Sequence, residues 1–274
     1  ALGFSMGEVY FQVADKLREH KISVFSSNYT LYADISQRVM GTLKTVAPHI
    51  DQYSIDEAFV PFDAVLAAQP DEVGWEMHDR VAKWVGMPVR VGIGPTRTLA
   101  KLANHWAKKK TRVYRLEPGT PEFESILEST PVGEVWGVGR RQAKKLLLQG
   151  IRNAKQLRDM DLDKALRLLT VVGQRTVYEL RGFQCIMMDT APMPRKTLVS
   201  SRSFGRRTRK KEELAESLAM HASIAGQRLR MENMVASALS IWCESSHHME
   251  EEYFCIRGTV NLGLPTNITP DLIK

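Results

Sequence analysis

Two clusters of chain-breaking residues divide this 274-residue sequence and limit its architecture more than any other feature. Glu117-Pro118-Gly119-Thr120-Pro121 can continue neither a helix nor a strand, because proline has no amide donor and glycine adds backbone freedom. Ala191-Pro192-Met193-Pro194 acts the same way further on. The apolar pattern changes character at each break. Before the first, Val9, Val13 and Leu17 recur every fourth position between Gly7 and Lys21, as do Ile35, Val39 and Leu43 between Asp34 and Val46. Both stretches read as amphipathic helices. Tyr53 to Val60 is short and rich in β-formers, which predicts strand, tight turn, strand. Val73, Met77, Val81 and Trp84 mark another helix, and a β-branched run from Pro88 through Val89, Val91 and Ile93 ends at Gly92 and Gly94. A helix follows from about Thr96, then a strand from Arg112 to Leu116. This alternation over residues 28–117 fits helices packed on one sheet layer. Between the breaks the sequence reads as all-helical. Beyond the second come a basic strand candidate, a helix over Lys211 to Glu232, and strands around Ala236 to Cys243 and Tyr253 to Leu262, half of a small α+β domain.

A net charge of +7 and an isoelectric point near 9.3 favour a polyanionic partner, because clustered Lys and Arg release counterions from phosphates. The 43% hydrophobic content is enough for ordinary soluble cores. Cys185, Cys243 and Cys255 are scattered, with neither disulfide spacing nor a Cys-x-x-Cys knuckle, which fits a reducing cytoplasm. No run of eighteen apolar residues and no signal peptide is present, so membrane residence is not expected. The sequence opens on Ala1 and stops at Pro270-Asp271-Leu272-Ile273-Lys274, where a helix begins, and is expected to be a fragment.

The sharpest local signal is Tyr53-Ser54-Ile55-Asp56-Glu57-Ala58-Phe59, two adjacent acids in an otherwise apolar stretch. Neighbouring carboxylates repel, and holding both ionised calls for a cation, most simply a divalent metal bound through oxygens, with Mg²⁺ the natural candidate. Both can serve one metal cluster only at a turn or strand end, since successive strand side chains point to opposite faces. A solvated surface pair is the plainer alternative, and the apolar flanks count against it.

Cations gather in three further places. In the segment from Arg97 to Lys108, Arg97, Lys101 and Lys108 share one helix face, opposite an apolar stripe of Leu99, Leu102, Ala103 and Trp106. A solvated face with snorkelling lysines is the bland alternative, while a position just after a Gly-x-Gly turn suits triphosphate or DNA phosphates. Gly92-Ile93-Gly94 itself is neither a Walker loop nor a dinucleotide fingerprint. Val135-Trp136-Gly137-Val138-Gly139-Arg140-Arg141 reads as a helix-hairpin-helix in which Gly137 and Gly139 allow close backbone approach. Free amides at the helix start, with Arg140, Arg141, Lys144 and Lys145, would grip a DNA backbone without reading sequence. Between Arg195 and Lys211 lie eight basic residues and no acid, interleaved with Leu198, Val199 and Phe204. That pattern suggests a strand with one buried face and Arg202, Arg206 and Arg207 turned to phosphates.

Taken in order, these motifs resemble the Y-family translesion DNA polymerases. Ser54-Ile55-Asp56-Glu57-Ala58-Phe59 looks like the palm signature of that family. Ser26-Ser27-Asn28-Tyr29, Leu31-Tyr32-Ala33-Asp34, Leu99-Ala100-Lys101-Leu102-Ala103, Trp136-Gly137-Val138-Gly139-Arg140-Arg141 and Ser201-Arg202-Ser203-Phe204-Gly205 look like its UmuC branch. The resemblance implies an α+β multidomain right-hand architecture, incomplete at both ends. Its parts would be a remnant of the fingers over 1–27, a ferredoxin-like catalytic palm over 28–117, a helical thumb with the hairpin over 118–190, a linker over 191–197 and a partial little-finger domain over 198–274. It implies that Asp56 and Glu57 are metal-binding catalytic acids working with two Mg²⁺ ions, that Lys108 meets the incoming dNTP, and that Arg97 and Lys101 lie along the nucleic acid. The function implied is error-prone translesion synthesis on damaged primer-template DNA in SOS mutagenesis, with processed UmuD, RecA and the sliding clamp as partners.

The family's first metal-ligating Asp precedes anything found here, so this chain is expected to lack stand-alone polymerase activity. The alternative function is a non-catalytic remnant that binds damaged DNA. A palm-type nucleotide cyclase also uses metal-bound acids, but it would leave the hairpin and the basic segment without a task.

Overall fold

The structure, a computed structural model, describes residues 2–4, 7–187, 195–206, 208–245 and 253–273. It falls into two compact units, residues 1–190 and 191–274. The second proline cluster, the linker apart from Arg195 to Thr197, and Arg207 lie outside the described residues.

The first unit begins with helices α1 (Tyr10–Glu19) and α2 (Tyr29–Lys44). Helix α2 starts one turn before the apolar periodicity, because Asn28 Oδ1 accepts the Leu31 amide at 3.1 Å and caps the helix there. Strands β1 (Asp51–Gln52) and β2 (Ala58–Phe59) form an antiparallel hairpin. Most of the expected first strand is therefore turn. The Tyr53 and Ser54 amides both donate to the Glu57 carbonyl, and Ser54 Oγ accepts the Asp56 amide at 3.3 Å, so the serine closes the loop locally. Helix α3 (Pro70–Val85) opens on a proline and ends at Gly86 with φ +75°.

Strands β3 (Val91–Ile93) and β4 (Val113–Arg115) pair in parallel across helix α4 (Arg97–Ala107), with Val91 opposite Val113. The expected single sheet layer is thus two separate strand pairs among the described residues, since each strand of the acidic hairpin has only two residues on its ladder. Gly92 and Gly94 have a packing reason. A Cβ on Gly92 would lie 2.1 Å from the Asn104 amide nitrogen, and one on Gly94 2.8 Å from that of Ala100, so only glycine lets β3 run this close to α4.

The first proline cluster ends β4 and starts α5 (Pro121–Ser129), whose first turn Thr120 Oγ1 caps by accepting the Phe123 amide. The core nevertheless continues across it. Leu99, Leu102, Tyr114 and Leu116 pack in one cluster with residues of α5, α6 (Arg140–Leu148), α7 (Ala154–Arg158) and α8 (Leu162–Leu180). Helix α8 is interrupted at Thr170, which has φ +69°.

The second unit holds α9 (Lys211–Met231), the antiparallel pair β5 (Ala236–Glu244) and β6 (Cys255–Thr266), and α10 (Thr269–Ile273). Leu272 of α10 is buried, and Gly226 of α9 leaves room for it: a Cβ there would sit 3.2 Å from Leu272 Cδ1. The basic strand expected before α9 is absent, since no strand occurs among described residues 195–210. Its serines and glycine are poor strand formers, and no ladder partner is present among the described residues. Val199 and Phe204 are exposed rather than buried. The segment is tied to α9 instead, through Ser200 Oγ to His221 Nδ1 at 2.9 Å and Arg228 Nη1 donating to the Val199 carbonyl at 3.3 Å.

Candidate active site

Asp56 and Glu57 occupy the turn of the β1–β2 hairpin, the position from which two adjacent acids can serve one site. Asp56 is exposed, and Ser54 Oγ donates to its Oδ1 at 2.6 Å. Glu57 is half-buried and pairs through Oε1 with Lys101 Nζ of α4 at 2.5 Å. Arg97, one turn earlier on α4, is 11% exposed, and its Nη2 meets Asp51 Oδ2 at 2.6 Å. Its guanidinium also lies over the Phe59 ring, 4.8 Å from the centroid. Helix α4 therefore grips both arms of the acidic hairpin.

Glu57, Lys101 and Lys108 line one cleft of about 180 Å³, opposite Glu134, Val135 and Trp136 from the segment before α6. His105 Nε2 and Glu134 Oε2, 3.2 Å apart, span it. Tyr53, Phe59 and Trp136 form an edge-to-face trio, with ring centroids 5.6 Å apart for Tyr53–Trp136 and Phe59–Trp136. These rings join the acidic hairpin to the glycine turn.

In that turn Gly137 has φ +89°, a left-handed backbone that favours glycine, and Gly139 is the N-terminal cap residue of α6 with no side-chain cap. Arg140, Arg141, Lys144 and Lys145 are all exposed and have no ion pair among the described residues. In the second unit Arg202 donates to the Ser201 carbonyl at 3.0 Å, and Arg206 reaches Glu213 at 3.3 Å.

Three contributors gave little sign in the sequence. Asp51, the partner of Arg97, lies outside the acidic motif. Trp136 stands in the hairpin motif, but nothing there ties its ring to Tyr53 and Phe59. Glu179 of α8 is fully buried, and its carboxylate accepts the amides of Thr98 at 3.0 Å, Cys185 at 2.9 Å and Ile186 at 3.0 Å. Thr96 Oγ1 donates to the Glu179 carbonyl at 2.9 Å. An acid from α8 thus caps the start of α4, where the helix dipole favours negative charge. Burial, and then the Glu179 charge, push the Cys185 thiol pKa up. In the sequence Glu179 shows only as an acid inside the apolar run Val177-Tyr178-Glu179-Leu180.

No group of three or more His, Cys, Asp or Glu arranged to hold a metal occurs among the described residues. The donors present still suit Mg²⁺, which needs only one or two carboxylates when phosphates complete its shell. Asp56 and Glu57 offer adjacent hard oxygens, and Glu57 lines the cleft that Lys101 and Lys108 also line.

Residues 1–105 match the model of the impB/mucB/samB family, and residues 195–274 match that of the impB/mucB/samB family C-terminal domain. The chain belongs to the impB/mucB/samB family. It is 38% identical to "Protein UmuC" and 35% identical to "Protein ImpB", both of Salmonella typhimurium, in each case over 100% of this chain and 66% of the relative. The chain thus spans about two thirds of the length of these curated relatives. "DNA polymerase IV 1" of Bacillus subtilis is more distant, at 26% identity over 81% of this chain and 53% of that protein. Among solved structures, a Y-family DNA polymerase chimera containing Dbh matches with a TM-score of 0.72 at 17% identity, over 99% of this chain and 76% of that one. An insertion ternary complex of Dbh DNA polymerase matches at 0.58 and 16%, over 99% and 76%. These likenesses show that this impB/mucB/samB member has the Y-family polymerase fold. No described helix is long and apolar enough to cross a membrane.

Proposed function

We propose that this chain is the nucleotidyl-transfer part of an error-prone translesion DNA polymerase acting on damaged primer-template DNA with dNTPs. The observation that carries the reading is the adjacent Asp56–Glu57 turn, with Glu57 lining the same cleft as Lys101 and Lys108. Family membership and relatives named as DNA polymerases support it. Asp56 and Glu57 would hold Mg²⁺, which when bound activates the primer hydroxyl and neutralises charge on the leaving group. Ser54 orients the Asp56 carboxylate, and Lys101 fixes that of Glu57 against the wall of the cleft. Lys108, exposed at the end of α4, supplies charge to the triphosphate. Arg97 and Lys101 belong to this surface through the hairpin they hold. The backbone at Gly137 and Gly139, with Arg140, Arg141 and Lys144, holds the duplex through its phosphates, and Arg202, Arg206 and Arg207 of the second unit bind phosphates in their own right. Action in the cytoplasm, with processed UmuD, RecA and the sliding clamp, belongs to the same proposal.

In the full gene product, Asp56→Asn or Glu57→Gln should lower Mg²⁺-dependent primer extension by about a hundredfold or more, the scale of losing one charge-stabilising group, and leave DNA affinity intact. Undiminished extension by both variants would sink the reading. A second reading, damaged-DNA binding without chemistry, is favoured by the unpaired cations of α6 and predicts that neither acid matters.

A further inference from the structure

The loop after α4 and the residues leading into β3 and β4 build a second recess of about 390 Å³. Its polar lining is Arg90, Lys108, Lys109, Lys110, Thr111 and Arg112, with no carboxylate. Two of its cations are engaged elsewhere. Lys110 is held by Glu122 and by Tyr114 Oη, and Lys109 Nζ lies 4.7 Å from the Trp106 ring centroid. Arg90, Lys108 and Arg112 are exposed and form no ion pair among the described residues. The backbone fixes where the two arginines stand. The Val91 amide donates to the Arg112 carbonyl at 3.0 Å, and Asn104 Nδ2 donates to the Arg90 carbonyl at 3.2 Å.

Arg90 and Arg112 therefore immediately precede paired residues on neighbouring parallel strands. Two like charges standing at the starts of neighbouring strands repel, and an anion shared between them relieves that repulsion. Complementing the helix dipole accounts for lysines at the end of α4, but it does not account for arginines at the starts of two strands. Lys108 lines both this recess and the cleft that holds Glu57.

We infer that the recess is a binding site for a small polyphosphate anion, pyrophosphate first of all, placed across Lys108 from the acid pair. The inference rests on the proposed reaction. There the primer hydroxyl gives up its proton to solvent water as its oxygen bonds to the α-phosphorus, and the bond to the bridging oxygen breaks with its electron pair leaving on pyrophosphate. Two guanidinium forks match the paired oxygens of such an anion better than lysines could. Lys108 then serves as the shared wall past which the anion moves between cleft and recess.

The test is calorimetric titration of the full gene product with sodium pyrophosphate, magnesium absent, beside titration with a short single-stranded oligonucleotide. The double variant Arg90→Gln with Arg112→Gln should bind pyrophosphate about tenfold more weakly, the scale of lost charge-assisted hydrogen bonds. Its circular dichroism and oligonucleotide affinity should not change. Lys83→Ala, exposed on α3, should bind as the parent does. If the double variant fails to fold, Arg112→Gln alone should still show a weaker affinity. Unchanged pyrophosphate affinity in folded variants overturns the inference, and so does a loss confined to the oligonucleotide, which would make the recess a DNA-backbone contact. Neither result touches the proposed chemistry, which stands or falls on Asp56 and Glu57.

Discussion

Glu179 concentrates a large structural effect in one carboxylate. Its removal strands three amide donors, that of Thr98 in a buried place and those of Cys185 and Ile186 in part-buried ones, and a donor left unsatisfied away from water is costly. We expect Glu179→Ala to destabilise the first unit by about 2–4 kcal/mol in urea denaturation, with Glu179→Gln milder because one acceptor oxygen remains. Exposed acids act more gently and depend on pH. The hydrogen bond from Lys110 holds the Glu122 carboxyl below the usual carboxylate range, and the hydrogen bond from Arg158 does the same for Glu124. Their folded pKa values are depressed, so the stability they add is present above the unfolded carboxylate pKa and is lost as pH falls through the folded values. The urea midpoint should therefore drop between about pH 5 and about pH 3, and Glu122→Gln with Glu124→Gln should flatten that slope.

Among elements, the β3–α4 contact is the least forgiving. Gly92→Ala would drive a Cβ to 2.1 Å from helix backbone that has no rotamer to change, and we expect a cost of about 3 kcal/mol or failure to fold, read from thermal melts. Gly86→Ala, with nothing within 4 Å of its Cβ but φ +75°, should cost about 1 kcal/mol. Most helices were legible because their signals are local: the apolar stripe of α4, the proline and glycine bounding α3, the breaker before α5. The acid turn was legible too, because two carboxylates break a short run of β-formers between Tyr53 and Val60. What stayed hidden depends on distant partners. The strand expected near Arg202 needed a neighbour to pair with and has none among the described residues. Asp51 and Glu179 work through residues 46 and 81 positions away, and no periodicity encodes such pairings.

For the whole molecule, the net charge of +7 and the exposed cations of α6 make salt the simplest lever. Affinity for primer-template DNA should fall steeply between about 50 and 200 mM salt, and replacing Arg140, Arg141 and Lys144 by Ala should lower the logarithmic slope by about 0.9 per lost phosphate contact. A slope unchanged in the triple variant would remove the hairpin from the interface. The carboxylate bridge from α8 to α4 also orders events in time. Hairpins and single helices close over short loops, but the Thr98 amide can meet Glu179 only after the intervening helices have docked. That one amide is thus a built-in clock: its hydrogen exchange should slow late in refolding, after the amides of α5 and α7, and in the native protein should report the opening of α4 against α8.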